Sequence, residues 1–350
     1  MTAAHTDPAD KKPARAGWRA ALSTVVFGLL LGGFAVEATA RWVLDRGMDF
    51  DLEMWKYARD LKRVSANPAI GHEHQPGTSG TYMGVPVRIN SQGLRDREFA
   101  PAPPAGVTRV VMLGDSVTFG WGVRDADTPS KLLESALNTG LARPAWEVMN
   151  TGVGNYNTAM EVAWFFDHGP QLKPDIVVLN YFINDAEPTP RRKEAGWRQH
   201  SYAAVMFYSA IDKVDRQYFG KADWKRYYGD LYRVDAPGWR AAQQAVGRLA
   251  RWCRENNVRL LIANYPELHA LKPYPFQPVT DAVAQMAAAN NVPFVDLRPG
   301  VEALKPETLW VSPTDAHPNR TANLRFAAQL RQAVLQSAPG TTPAPNLRIH

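Results

Sequence analysis

Five short apolar runs alternate with segments of helical spacing along most of this chain, and that alternation limits the fold more than any other feature. The runs span residues 109–113, 146–150, 175–181, 258–264 and 293–296. Their length and bounding turn residues predict buried strands. Helices are expected around Pro129–Leu141, Thr158–His168, Gly238–Asn256, Pro278–Asn290 and Arg320–Gln336. Strands alternating with helices give an α/β domain, a parallel sheet with helices on both faces. In an open parallel sheet, a site forms outside the carboxyl ends of the strands. The residues just past each strand are therefore where chemistry is to be sought.

Three strand ends carry polar, glycine-rich turns. Gly114-Asp115-Ser116-Val117-Thr118-Phe119-Gly120 follows the first run. A serine held there has its hydroxyl exposed by the turn, with backbone N–H groups close enough to face an oxyanion. Asn150-Thr151-Gly152-Val153-Gly154-Asn155-Tyr156-Asn157-Thr158 follows the second run, and Asn180-Tyr181-Phe182-Ile183-Asn184-Asp185 ends the third. A fourth block, Ser312-Pro313-Thr314-Asp315-Ala316-His317-Pro318-Asn319, lies near the C-terminus. This ordered set resembles the SGNH/GDSL hydrolase superfamily over roughly residues 107 to 335.

The resemblance implies a three-layer α/β/α, flavodoxin-like sandwich with a central parallel sheet. It also implies acyl transfer from an ester, which needs a nucleophile, a base, a group that orients the base, and oxyanion donors. Ser116 is the candidate nucleophile. His317 is the candidate general base, imidazole being suited to proton shuttling near neutral pH. Asp315 would orient the imidazole. The oxyanion donors would be the Ser116 N–H, the Asn184 amide and a backbone N–H of the glycine turn, taken as Gly154 with Asn155 as the alternative.

The chain departs from the commonest family pattern twice. That pattern has aspartate three residues before the histidine, where this chain has Thr314; Asp315 stands two before. Asp-x-His is similar to the spacing in SGNH-like domains of polysaccharide acetylation proteins. If Asp315 merely capped the helix after Pro318, its loss would cost stability rather than turnover. Counting from Asn150, the family's glycine falls at 155, an asparagine here.

The chain of 350 residues has a net charge of +6, part of which sits in the N-terminal tail. No zinc-type spacing or nucleic-acid motif accompanies it, so no nucleic-acid partner is expected. The one cysteine, Cys253, excludes an intramolecular disulfide and reads as a small buried hydrophobe. No metal or cofactor is needed for the chemistry above. His72 and His74 form a His-x-His pair without a third ligand of clear spacing, and read as loop residues.

A basic tail, residues 1–19, precedes an uncharged run from Ala20 to Val36. With Glu37 and Arg41 paired one turn apart, the helix extends toward Leu44, and Trp18 and Trp42 bracket it as interfacial aromatics would. A signal-anchor over 20–44 would place the N-terminus in the cytoplasm and the remainder on the periplasmic side of the inner membrane. The rival is a cleaved signal peptide, with Ala38-Thr39-Ala40 as its cleavage triplet; the length of the run favours retention.

Residues 47–106 read as an irregular lead: a helix over Met48–Val64, a turn-rich stretch with a strand at Val85–Ile89, and a linker at Pro101–Gly106. The hydrolase domain spans 107–337, with an insertion at 186–237 and a flexible tail at 338–350. Eleven aromatics lie between Trp197 and Trp239, interleaved with basic residues. They read as a helical insertion packed on the core, or as a lid or groove wall that stacks on sugar rings or touches the membrane.

Asn90-Ser91-Gln92-Gly93-Leu94-Arg95 and Leu309-Trp310-Val311-Ser312-Pro313-Thr314-Asp315 resemble segments of membrane-tethered SGNH proteins of exopolysaccharide systems. By that analogy the expected activity is removal of O-acetyl groups from a carbohydrate by an exported serine esterase, with polysaccharide-biosynthesis proteins as partners. An O-acyltransferase would use the same residues, and no residue decides between water and a sugar hydroxyl as acceptor. A lipase or thioesterase and a non-catalytic envelope scaffold are the other readings.

Overall fold

A computed structural model of the protein describes residues 17–44, 49–190, 200–218 and 224–337. The tail before residue 17, the C-terminal 338–350 and Trp197 lie outside the described residues. Helix α1, Gly17–Leu44, starts before and ends after the apolar run. Residues 17–43 are long and apolar enough to cross a membrane by length and composition, and the apolar window has no part buried against the protein. Glu37 and Arg41 pair at 3.7 Å. The Glu37 carboxylate also accepts hydrogen bonds from Ser201 Oγ (2.8 Å), Tyr202 N–H (2.9 Å) and Ala203 N–H (3.1 Å).

Helix α2 runs from Phe50 to Leu61, with Asp49 as its N-cap. It is shorter than the 48–64 expected, because the chain extends at Lys62 to form strand β1, Lys62–Val64. This strand pairs antiparallel with β2, His72–His74. His72 and His74 are thus strand residues, not loop residues. Strand alternation points both inward, and both are buried. A hairpin of β3, Ser79–Tyr82, and β4, Val85–Arg88, completes this part.

The core begins with β5, Thr108–Leu113, and a four-residue helix α3, Ser116–Phe119. Next come α4 (Pro129–Asn138), β6 (Trp146–Asn150), α5 (Thr158–His168) and β7 (Ile176–Tyr181). The insertion contributes α6, Tyr202–Tyr218, and α7, Trp224–Leu231. After it come α8 (Pro237–Glu255), β8 (Arg259–Asn264), α9 (Gln277–Ala289) and β9 (Phe294–Asp296). A hairpin of β10, Trp310–Ser312, and β11, Asp315–Pro318, leads into α10, Arg320–Ser337. The five core strands lie in the order β6-β5-β7-β8-β9, all parallel.

Both faces of the sheet are covered, which is why its strands read as continuous apolar runs. Val111 and Leu113 face α5, α8 and α9 with Val177, Leu179 and Ile262. Val110 and Met112 face α4 and α10 with Val178, Leu261 and Phe326. Cys253, on α8, is buried, and burial pushes its thiol up to about 12, out of reach of thiolate chemistry. A third cluster joins the lead to the core, with Tyr57, Leu61, Tyr82 and Val87 against Phe119 and Trp121. The lead therefore packs directly on the turn that carries Ser116.

Candidate active site

Ser116 is the first residue of α3, one turn beyond the end of β5. Asp115 caps that helix, its Oδ1 accepting the Val117 N–H at 2.8 Å. First-turn N–H groups have no partner within a helix, and the Ser116 N–H donates to no group among the described residues. The turn closes at Gly120, in left-handed backbone (φ 80°), which donates to Ser116 C=O. Arg95, fully buried, donates to the Phe119, Gly120 and Val123 carbonyls and pairs with Asp125 at 3.0 Å. The segment Asn90–Arg95 thus has a structural meaning: Asn90 turns the chain and Arg95 anchors the far end of the serine helix.

Ser116 Oγ lies 2.8 Å from His317 Nε2. His317 Nδ1 lies 2.6 Å from Asp315 Oδ1, which also accepts the His317 backbone N–H at 3.0 Å. The acidic partner on Nδ1 fixes the tautomer, leaving Nε2 to accept the serine proton. Asp315 Oδ2 accepts the indole N–H of Trp121 at 2.9 Å. Burial opposes ionisation of Asp315, but His317, through side chain and backbone, and Trp121 together hold its carboxyl below the usual range. Asp315 is not the cap of α10. That role falls to Asn319, whose Oδ1 accepts from Thr321 and Ala322 N–H.

The glycine turn after β6 lies against α3. A Cβ on Gly152 would lie 2.3 Å from Phe119 N, so only glycine permits this approach. The structure corrects the assignment of Gly154 as oxyanion donor. Its N–H is taken by Tyr57 Oη at 3.1 Å, and its carbonyl accepts from Lys62 Nζ at 2.5 Å and lies 3.1 Å from His72 Nε2. The Asn155 N–H donates to no group among the described residues, and Asn155 is exposed. Asn155 has φ 65°, the left-handed conformation that asparagine tolerates better than other side chains, so it can stand where a glycine is expected.

Asn184 lies in a 3₁₀ turn, Ile183–Ala186, after β7. Its side chain meets the carboxyl of Asp115, which ties this turn to the serine turn. Three buried carboxyls surround the junction: Asp115, Glu161 on α5 and Asp185. Burial pushes all three above the ordinary carboxyl range, and repulsion from the neighbouring acids adds to it for Glu161 and Asp185. Asp185 Oδ2 accepts the Phe182 N–H at 3.1 Å, so it holds the turn.

Helix α7 lies over this region. Tyr227 Oη donates to Glu187 and Tyr232 Oη to the Ile183 carbonyl. At its other end Trp224 contacts His269 and Phe276, and His269 contacts Trp310. The imidazole of His269 is raised by its bond to Glu267, against the opposing effect of burial. Among the described residues, no group of three or more His, Cys, Asp or Glu is arranged to hold a metal ion.

Of the sequence-derived site residues, Ser116, His317 and Asp315 come together, Asn184 is tied to the serine turn through Asp115, and Asn155 follows on the glycine turn, its side chain held by Lys62. Tyr57, Lys62, His72, His74, Arg95 and Trp121 were not identified from spacing. The first four lie in the part of the lead before the family-like Asn90–Arg95 segment, where no such motif marks them. The one available signal for Trp121 was its place directly after Gly120.

A family model described as GDSL-like lipase/acylhydrolase matches residues 112–324. A comparison with curated proteins gave no match. Among solved structures the chain is similar to a lipase/acylhydrolase from Enterococcus faecalis, at 13% identity and a TM-score of 0.42, covering 69% of this chain and 100% of that one. It is also similar to an acetylxylan esterase from Geobacillus stearothermophilus, at 15% identity and a TM-score of 0.42, covering 69% and 97%.

Proposed function

The chain belongs to the GDSL-like lipase/acylhydrolase family, and on that premise we propose that it is a serine ester hydrolase acting through Ser116, His317 and Asp315. The observation that carries this reading is the unbroken hydrogen-bond path from Ser116 Oγ through His317 to Asp315. Ser116 Oγ attacks the acyl carbonyl carbon while its proton passes to His317 Nε2. Asp315 stabilises the imidazolium. The carbonyl oxygen becomes an oxyanion facing the N–H groups of Ser116 and Asn155 and the Asn184 amide. A preorganised donor of this kind contributes about 3–4 kcal/mol to lowering the barrier. Collapse breaks the ester C–O bond, and the leaving alkoxide takes the proton from His317. A second nucleophile, giving its proton to His317, then releases the acyl group from Ser116.

The substrate we propose is an O-acylated, most simply O-acetylated, carbohydrate. Trp224, His269 and Trp310 form a continuous aromatic rim on the side of the hairpin that carries His317, and such rings suit the apolar faces of sugars. We further propose that α1 anchors the protein in the inner membrane, with the hydrolase domain on the periplasmic side. Exposed Phe207 and Ile211 on the apolar first half of α6 would lie at the lipid surface near the end of α1.

The test is release of p-nitrophenol from p-nitrophenyl acetate, with and without oligosaccharide acceptors, beside Ser116→Ala. Release into water that is lost in Ser116→Ala supports the hydrolase. Release that rises with acceptor and acetylates it makes the protein a transferase using the same acyl-enzyme. No Ser116-dependent release in either condition refutes the small-acyl reading. Trp224→Ala and Tyr228→Ala should impair use of polymer more than use of the small ester. Detection of the protein only in the soluble fraction, in a shortened form, would refute the anchor.

A further inference from the structure

The lead peptide, residues 57 to 74, holds a chain of buried polar groups that ends on the glycine turn. His74 Nδ1 faces the Gly93 carbonyl at 3.2 Å, and Nε2 lies 2.6 Å from Tyr57 Oη. Burial, helped by the positive charges of Lys62 and Arg95, pushes His74 down to about 3, so the ring is neutral. A carbonyl can only accept, so Nδ1 carries the proton and Nε2 accepts from Tyr57. The Tyr57 oxygen is then left to accept the Gly154 N–H. Every donor on this path has one direction, and the Gly154 N–H is fixed.

The other side of Gly154 is held by charge. Lys62, almost fully buried, places its ammonium 2.5 Å from the Gly154 carbonyl and 3.1 Å from Asn155 Oδ1, and lies over the Tyr57 ring. The Gly154 carbonyl and the Asn155 N–H belong to one peptide unit. In a trans peptide these two groups point in opposite directions, and resonance couples them. An ammonium on the carbonyl therefore does two things at the far end of the same plane. It fixes where the N–H points, and by drawing electron density toward oxygen it makes that N–H a stronger donor. Its grip on Asn155 Oδ1 holds the left-handed residue in place as well.

We infer that Lys62 is a positioning residue of the hydrolase, orienting and polarising the Gly154–Asn155 peptide so that the Asn155 N–H binds the oxyanion. The inference rests on the reading of Asn155 as an oxyanion donor. It gives the lead a role in the reaction beyond the packing of Phe50 on the His317 ring.

The test uses the full-length protein with Lys62→Met, Lys62→Gln and Lys62→Arg, and Asn184→Ala beside them. Two quantities are read: kcat and KM for p-nitrophenyl acetate, and inhibition by phenylboronic acid, which becomes a tetrahedral anion on Ser116 Oγ. Lys62→Met and Lys62→Gln should lower kcat about 10–100-fold, less than or comparable to the loss of a direct donor, with KM within about threefold. Boronate inhibition should weaken by the same factor as kcat, and Lys62→Arg should recover most of both. A Lys62→Gln protein with wild-type kcat overturns the inference, as does a fall in kcat with unchanged boronate inhibition. If Lys62→Met does not fold, the comparison of Gln with Arg still decides. If Asn184→Ala weakens kcat and boronate binding while the Lys62 series does not, the inference about Lys62 alone is wrong. If Ser116→Ala and Asn184→Ala are also without effect, the hydrolase reading falls, and this one with it.

Discussion

Replacing Trp121 by phenylalanine isolates one hydrogen bond at the acidic end of the proposed triad. The indole N–H donates to Asp315 Oδ2 at 2.9 Å, and both residues are buried. Phenylalanine keeps a ring against Phe50, Tyr57 and Tyr82 but leaves Oδ2 without its donor. A hydrogen bond to a charged group is worth about 1.5–3 kcal/mol, which is roughly 10–150-fold in rate if felt in full at the transition state. Asp315 keeps its two bonds from His317, so the lower part of that range, about 10–30-fold in kcat/KM, is expected. The pH profile carries the sharper signature. With one fewer donor the Asp315 carboxyl rises from its depressed position, so on acidification the variant loses activity at a higher pH than wild type, as that carboxyl protonates. The assay is p-nitrophenyl acetate hydrolysis from about pH 3 to 9, with thermal melts as control. A folded Trp121→Phe protein with an unshifted acid limb and a rate within twofold of wild type would refute the argument and reduce Trp121 to packing.

Two further perturbations test the buried surroundings. Glu161 is buried with its folded-state pKa raised well above the ordinary glutamate value of about 4.3; the native state then binds more protons than the unfolded one as pH rises from that value, so this group lowers stability progressively across that window. Glu161→Gln should therefore melt close to wild type near pH 4 and above it at pH 8, and an equal difference at both pH values would show that Glu161 does not titrate as described. Gly152→Ala forces a Cβ onto the backbone at Phe119 N and Thr118 C, moving the glycine turn away from Ser116. It should lower kcat by about 100-fold, the scale of a lost oxyanion donor, and a fully active Gly152→Ala enzyme would show that the turn can shift without consequence.

The core was legible because each strand is buried on both faces. Helices α4 and α5 start where expected, at Pro129 and Thr158, with Thr128 and Asn157 as their caps. Ser116, Asn184 and His317 were legible because they follow strand ends or lie in compact blocks. Gly154 was misread because spacing shows where a glycine lies and not which peptide N–H is already bonded; that depended on Tyr57, 97 residues earlier in the chain. Trp121 to Asp315 spans 194 residues and obeys no local periodicity. His72 and His74 looked like loop residues because a three-residue strand is too short to show alternation. The lead was underestimated for the same reason: its contribution is entirely tertiary.

Glu37 lies three residues before the Ala-x-Ala triplet's final alanine, and it is the acceptor that closes the first turn of α6. Ala40 itself is buried with Leu52 and Tyr202. Proteolysis after Ala40 would thus remove from the protein both the cap of α6 and part of the surface on which that helix rests. The leader and the insertion are linked across some 160 residues of sequence, so a change in how the leader is processed would be felt as a change in the order of α6. Were α1 the anchor proposed above, residence in the membrane and completeness of the fold would be, for this segment, the same event.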